Sequence, residues 1–194
     1  PCTTVQDEAM DARAVAVGAQ EGILGEWGME VTNPHYEGRI SMTRALASSK
    51  LAATVRLGRE LTLAKVAAQA RAFGLPVDRE DLLTRMLLGH DSVSLREAVG
   101  VYAAISRKGQ LPGEPRYIER IENGDGEVVY EAPAPAKSGL EAACDEITAY
   151  QIHEMLRESM IDGNLAEEAF ALASPSFPGV VKTGTTHDFA DGWS

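Results

Sequence analysis

Cysteine is scarce in this chain: Cys2 and Cys144 are the only two in 194 residues, and they allow one disulfide or none. No Cys-x-x-Cys pair is present to hold a metal or run thiol exchange. Histidine is equally sparse, and His35, His90, His153 and His187 nowhere show the i, i+4 spacing that would place two imidazoles on one helix face. Neither a metal site nor a cofactor is expected. Positive charge is also in deficit, with 18 Lys and Arg against 29 Asp and Glu and a formal net charge of -11. No cluster of Lys and Arg forms the basic footprint of a nucleic-acid surface. An acidic, soluble balance fits an exported catalytic domain, although charge speaks to solubility more than to function. The chain has no apolar run of about 18 residues and no basic segment leading into a short apolar one, so neither a membrane anchor nor an export signal is expected within it.

What is present is enough apolar residue, 44% of the chain, to bury one sizeable core, and a single domain over residues 1–194 is the default. Leu63, Val66, Ala67 and Ala70 recur at helical spacing, with Gly74 placed where a helix would stop. Ser94 and Glu97 read as a capping box ahead of Leu95, Val99 and Tyr102 on one helix face. Ile152, Met155, Leu156 and Ser159 repeat the helical pattern, with Gly163 near its end and the methionine there as packing. Between these helices, the alternation from Tyr117 to Val129 around Asn123-Gly124-Asp125-Gly126 predicts a β-hairpin. Ala132 to Gly139 then reads as an exposed, proline-rich linker.

The run Lys182-Thr183-Gly184-Thr185-Thr186 carries the chemistry. Val180 and Val181 precede it, and its β-branched threonines favour an extended strand in which Thr183 and Thr185 share a face. Two hydroxyls beside one ammonium, with a glycine between them where a ligand backbone could come close, suit an anionic ligand lying along the strand. Read without that ligand, the same run is a hairpin edge strand with a solvated lysine.

The run resembles the lysine-threonine-glycine box of penicillin-recognising serine acyltransferases. Upstream blocks resemble the bifunctional (class A) penicillin-binding proteins in matching order. These are Pro1, Thr3, Val5 and Asp7; Asn33-Pro34-His35-Tyr36-Glu37-Gly38, with Ile40, Thr43 to Ala47 and Ser49; Met86 to Gly89, with Val93 to Glu97 and Tyr102 to Ala104; and Met155, Leu156 and Gly163. The resemblance spans essentially the whole chain. It implies an α/β (α+β) transpeptidase or β-lactamase-like fold, incomplete here: a helical lobe with part of an antiparallel sheet that lacks strands at both ends. It implies peptidoglycan cross-linking by serine acyl transfer, with Ser49 and Lys182 as catalytic residues. Thr183, Gly184, Thr185 and Thr186 would bind substrate, and the Thr185 N–H would help form an oxyanion hole. The implied ligands are a peptidoglycan stem peptide and β-lactams, met at the outer face of the cytoplasmic membrane through a parent protein. Open sheet edges further imply a homo-oligomer or strand exchange.

Two departures qualify the resemblance. The family's nucleophile lies in a Ser-x-x-Lys box, and no Ser-x-x-Lys occurs in this sequence. The isolated chain is therefore expected to be inactive. The family's Ser-x-Asn box falls on Ser49-Lys50-Leu51, so a leucine stands where an asparagine would bond the substrate amide. A working box needs a turn here, yet Ser48 to Ala53 holds no glycine or proline, and Met42, Leu46, Ser49 and Ala53 follow one helical stripe. Ser49 thus reads either as a proton-relay residue or as a buried helical serine. The leucine also supports an alternative function, a non-catalytic module that binds wall peptides or a partner protein. If the resemblance is fortuitous, nothing requires Ser49 and Lys182 to lie within two hydrogen-bonded steps of each other.

Overall fold

In the computed structural model, residues 3–9, 35–77, 82, 84–89, 92–134, 141–162, 179–185 and 192–193 are described. Strand β1 (Thr4–Asp7) pairs antiparallel with β2 (Gly38–Ser41), with Asp7 opposite Gly38 and Thr4 opposite Ser41. Ser41 turns the strand into a helix, because its Oγ accepts the Arg44 N–H at 3.1 Å and caps α1 (Met42–Ala47). Helix α2 (Leu51–Leu61) follows and packs on β1. Arg56 of α2 reinforces that packing by donating to the carbonyls of Gln6, Glu8 and Ala9 at 3.3, 2.7 and 2.9 Å.

The single helical stripe through Met42, Leu46, Ser49 and Ala53 does not form. The chain breaks after Ala47 and restarts at Leu51, and Ser49 between them adopts a left-handed φ of +53°. The Ser49 N–H bonds the Leu46 carbonyl at 3.2 Å, and the Lys50 N–H reaches back to the Ala45 carbonyl at 2.9 Å. This is a Schellman closure with serine at the position glycine usually takes. Sequence spacing could not reveal it, because the punctuating residue is missing.

Helix α3 (Leu63–Ala72) forms as its spacing predicts, with Ala67 fully buried. It ends in a second Schellman closure, with Gly74 at φ +85°, its N–H on the Arg71 carbonyl at 2.8 Å, and the Leu75 N–H on the Ala70 carbonyl at 3.1 Å. A 3-10 turn (Thr84–Leu88) lies against α2. Helix α4 (Leu95–Ser106) opens on the predicted capping box: Ser94 Oγ accepts the Glu97 N–H at 3.2 Å, and Glu97 Oε2 accepts the Ser94 N–H at 2.6 Å. Its apolar face is largely uncovered, however, with Leu95 60% and Val99 57% exposed, while Ala104 on the other side is buried.

The predicted hairpin is β3 (Arg120–Glu122) with β4 (Val128–Glu131), set by Asn123 Oδ1, which accepts the N–H groups of Asp125 and Glu127 at 3.0 and 2.9 Å. Of the proline-rich linker, Ala132, Pro133 and Ala134 are in irregular structure, and residues 135–139 lie outside the described residues. Helix α5 (Glu146–Asp162) buries Met155, Leu156 and Ser159 as its spacing predicts, together with Ala149, and packs on α1 and α4. Gly163 and Cys2 lie outside the described residues, and Cys144 is a free thiol. Last, β5 (Gly184–Thr185) pairs antiparallel with β6 (Gly192–Trp193).

The described residues thus form an incomplete α+β fold: helices packed through small side chains, flanked by two-stranded antiparallel sheets. Ala45, Ala47, Ala52, Ala53, Ala104 and Ala149 are buried, and such short side chains let helix axes approach closely. One contact is closer still. Gly109, at φ +87° just beyond α4, lies so near α5's approach that a Cβ there would sit 2.1 Å from the Cys144 carbonyl oxygen. Gly109→Ala should therefore lower unfolding free energy by about 2 kcal/mol or more. Gly100→Ala, inside α4 with open space around it, should raise stability by up to about 1 kcal/mol. Denaturant titration of the two variants checks the opposite signs.

Candidate functional site

Ser49 and Lys182 come together. Lys182 Nζ donates to Ser49 Oγ across 133 residues of sequence, and the same ammonium donates to the neighbouring Thr183 carbonyl at 2.8 Å. Burial holds the Lys182 amine below the ordinary lysine range, bringing its neutral form closer to neutrality than a solvated lysine's. A half-buried amine on a hydroxyl is an arrangement able to pass a proton in either direction. This is one hydrogen-bonded step, where a fortuitous resemblance required no relation at all.

The strand of the terminal box is shorter than its β-branched residues suggest. Among the described residues it begins at Gly184, and Lys182 and Thr183 precede it outside any assigned strand. The register accounts for this: Gly184 pairs with Trp193, so a residue before Gly184 could pair only with Ser194, which lies outside the described residues. Thr183 is partly buried and Gly184 is exposed. A Cβ at Gly184 would meet open space, so packing within the described chain does not require glycine there. Thr185 has its backbone in β5, and Thr186 lies outside the described residues.

Leu51 opens α2 and packs with Tyr36 and Leu88 against the buried Ala52 and Val55. It sits in an apolar cluster, and its side chain offers a ligand no donor or acceptor.

Five residues at this site were not assigned a functional role from sequence. Tyr102 of α4, expected only as scaffold, has its phenol pushed up by burial and partly drawn back by a hydrogen bond with the Lys182 backbone. Behind Ser49, Lys50 turns its ammonium inward to the His35 carbonyl at 2.7 Å, to Glu37 Oε1 at 2.9 Å and to Asp7 Oδ2 at 3.3 Å. Asp7 is fully buried and also accepts the Glu37 N–H at 3.0 Å. Glu37 receives a forked pair of bonds from Arg44 at 3.1 and 3.2 Å. The Arg44 bonds first, then Lys50, hold the Glu37 carboxyl down to about 2. Asp7 and Glu37 both occur in the sequence blocks that resemble the family, but nothing in their spacing tells that they meet.

A surface cavity of about 980 Å³ lies between Arg107, Glu114, Arg116 and Glu131, and neither Ser49 nor Lys182 lines it.

No family model matches the chain. Its fold is that of penicillin-binding transpeptidase domains. Penicillin-binding protein 1A of Haemophilus influenzae superposes with a TM-score of 0.74 at 17% identity, over 95% of this chain and 31% of that one. The D,D-transpeptidase domain of a peptidoglycan glycosyltransferase from Eggerthella lenta gives 0.61 at 18% identity, over 83% and 45%. In sequence, penicillin-binding protein 1B of Vibrio cholerae is 25% identical over 191 residues, 98% of this chain and 23% of that protein. The chain is accordingly a partial, transpeptidase-type relative of the class A penicillin-binding proteins, and it spans about a quarter of the length of the curated relatives it matches.

The left-handed turn makes position 49 a test of the geometry. A side chain at that φ costs about 1–2 kcal/mol relative to glycine. Ser49→Gly should therefore be more stable than Ser49→Ala by about that amount in denaturant unfolding, whereas equal stabilities would mean that Ser49 is not left-handed.

Proposed function

We propose that this chain is part of a single serine D,D-transpeptidase domain, whose parent cross-links peptidoglycan by acyl transfer from a D-alanyl-D-alanine stem peptide. The observation that carries the reading is the Lys182–Ser49 hydrogen bond. In this reading a serine outside the chain attacks the penultimate carbonyl. The peptide C–N bond breaks, and the departing D-alanine amine takes a proton delivered through Ser49 from the Lys182 side. Thr183 and Thr185 hold the terminal carboxylate beside the lysine charge, Thr186 extends that wall, and the Thr185 N–H stabilises the oxyanion. The open space beside Gly184 supports the approach of a ligand backbone there. β-Lactams acylate the same external serine. The parent places this domain on the periplasmic or extracellular side of the cytoplasmic membrane.

Leu51 favours a second reading, in which the parent binds wall peptides or a partner protein without turnover, because the amide contact is lost. The coding sequence ahead of Pro1 separates the two: a Ser-x-x-Lys supports the enzyme, and its absence supports the binding module.

The chain itself should not be labelled covalently by a fluorescent penicillin, since no Ser-x-x-Lys is present to be acylated. A D-alanyl-D-alanine-terminated peptide should bind it reversibly in an NMR titration, and Lys182→Met should weaken that binding on the order of tenfold, the worth of a charge-assisted hydrogen bond. Covalent labelling would overturn the placing of the nucleophile outside this chain, and affinity indifferent to Lys182 would overturn the assignment.

We also propose that the chain associates with itself through sheet edges. Each described sheet has two strands, and β3 and β4 are exposed throughout, with Val129 63% and Tyr130 44% accessible. Light scattering over a concentration series should show a mass rising above that of one chain, and a constant monomer mass at every concentration would refute it.

A further inference from the structure

Ser49 occupies a left-handed conformation that a serine adopts only when its surroundings dictate it, and its neighbour Lys50 is held on every side. Every polar group of Lys50 that the turn could use is committed. Its N–H is held by the Ala45 carbonyl at 2.9 Å. Its carbonyl accepts both the N–H and the Oγ1 of Thr54, each at 3.0 Å, as the first bonds of α2. Its ammonium is fixed by Asp7, Glu37 and the His35 carbonyl.

A Schellman closure usually pins the residue at this position through an apolar contact with the helix just ended. Here the corresponding helix residue is Ala45, and the pin is ionic instead. An ion pair inside protein is poor evidence of net stability, because desolvation offsets much of the attraction, but it specifies direction in a way that an apolar contact does not. The burial supports this reading: Lys50 is 8% exposed and Asp7 fully buried, so their charges have few alternative partners.

We propose that Lys50 is a positioning residue. By seating its ammonium among Asp7, Glu37 and the His35 carbonyl, it forces Ser49 into the left-handed turn and so keeps Ser49 Oγ on Lys182 Nζ. The proposal rests on the reading of Ser49 and Lys182 as the proton-relay pair, and it adds the part that holds the pair together. Glu37, clamped in turn by Arg44, ties the lysine to the entrance of β2, and Asp7 ties it to the end of β1.

The test is made on the whole 194-residue chain without ligand, so its failure is distinguishable from failure of peptide binding. Two NMR observables report the geometry: the Ser49 three-bond HN–Hα coupling with its Cα and Cβ shifts, which give the sign of φ, and the cross-relaxation peak between the Lys182 ε-methylene and the Ser49 β-methylene. In Lys50→Met, Ser49 should leave the left-handed region and the cross-peak should fall to background. Val55→Ala, a core truncation in α2, should lower the melting temperature while both observables stay at their wild-type values. If Lys50→Met does not fold, Glu37→Gln decides: it preserves shape, removes one ionic partner, and should weaken the cross-peak. A folded Lys50→Met or, in its place, Glu37→Gln chain with wild-type Ser49 shifts and an undiminished cross-peak would overturn the proposal. So would loss of both observables in Val55→Ala, which would make Lys50 merely one of many residues that stabilise the fold.

Discussion

The contact from the Lys182 ammonium to the Ser49 hydroxyl is the constraint around which the rest of this structure is arranged. It joins a turn between two early helices to the residues that lead into a strand near the other end of the sequence. Helix α5 packs on both α1 and α4. Helix α4 in turn brings Tyr102 to the backbone of Lys182. The ends of α1 and α2 deliver Ser49, and the ion cluster under the turn keeps it there. Burial of the amine then follows from the packing, and with it the lowered proton affinity.

Polar and apolar interactions divide the labour unevenly. The helical body is held by small, buried side chains, and among the described residues Val55 is the largest apolar side chain to be fully enclosed. Such a core sets helix spacing more than it locks helix rotation. Direction comes from the polar devices: the Ser41 and Ser94 caps, the Arg56 clasp on the end of β1, and the Asp7–Lys50–Glu37–Arg44 cluster. These sit where chain direction changes, at helix starts and strand ends.

How much of this could be read from sequence depended on whether the deciding interaction was local. The cap at Ser94, the stop at Gly74 and the hairpin around Asn123 were legible because each is specified within a few residues. The break at Ser49 was not, since its left-handed residue is not glycine and the groups that enforce it come from β1 and β2, far away in sequence. The strand over Lys182 was anticipated too long because residue propensity says nothing of the partner: Gly184 pairs with Trp193, and only Ser194, outside the described residues, follows it. The Leu95–Val99–Tyr102 stripe had the right period for a core face, yet α4 turns Ala104 inward instead. The pairing of Ser49 with Lys182 was anticipated from family resemblance, and propensity rules alone would not have reached it.

Leu51 has a consequence for how any guest would be gripped. With that side chain seated among Tyr36, Leu88 and Val55, the opening turn of α2 is committed to the protein's interior. Under the proposed function, that end of the site would offer no amide-reading group, so grip would fall to the Lys182 charge, and selectivity for whatever precedes a guest's anionic end would be correspondingly lax.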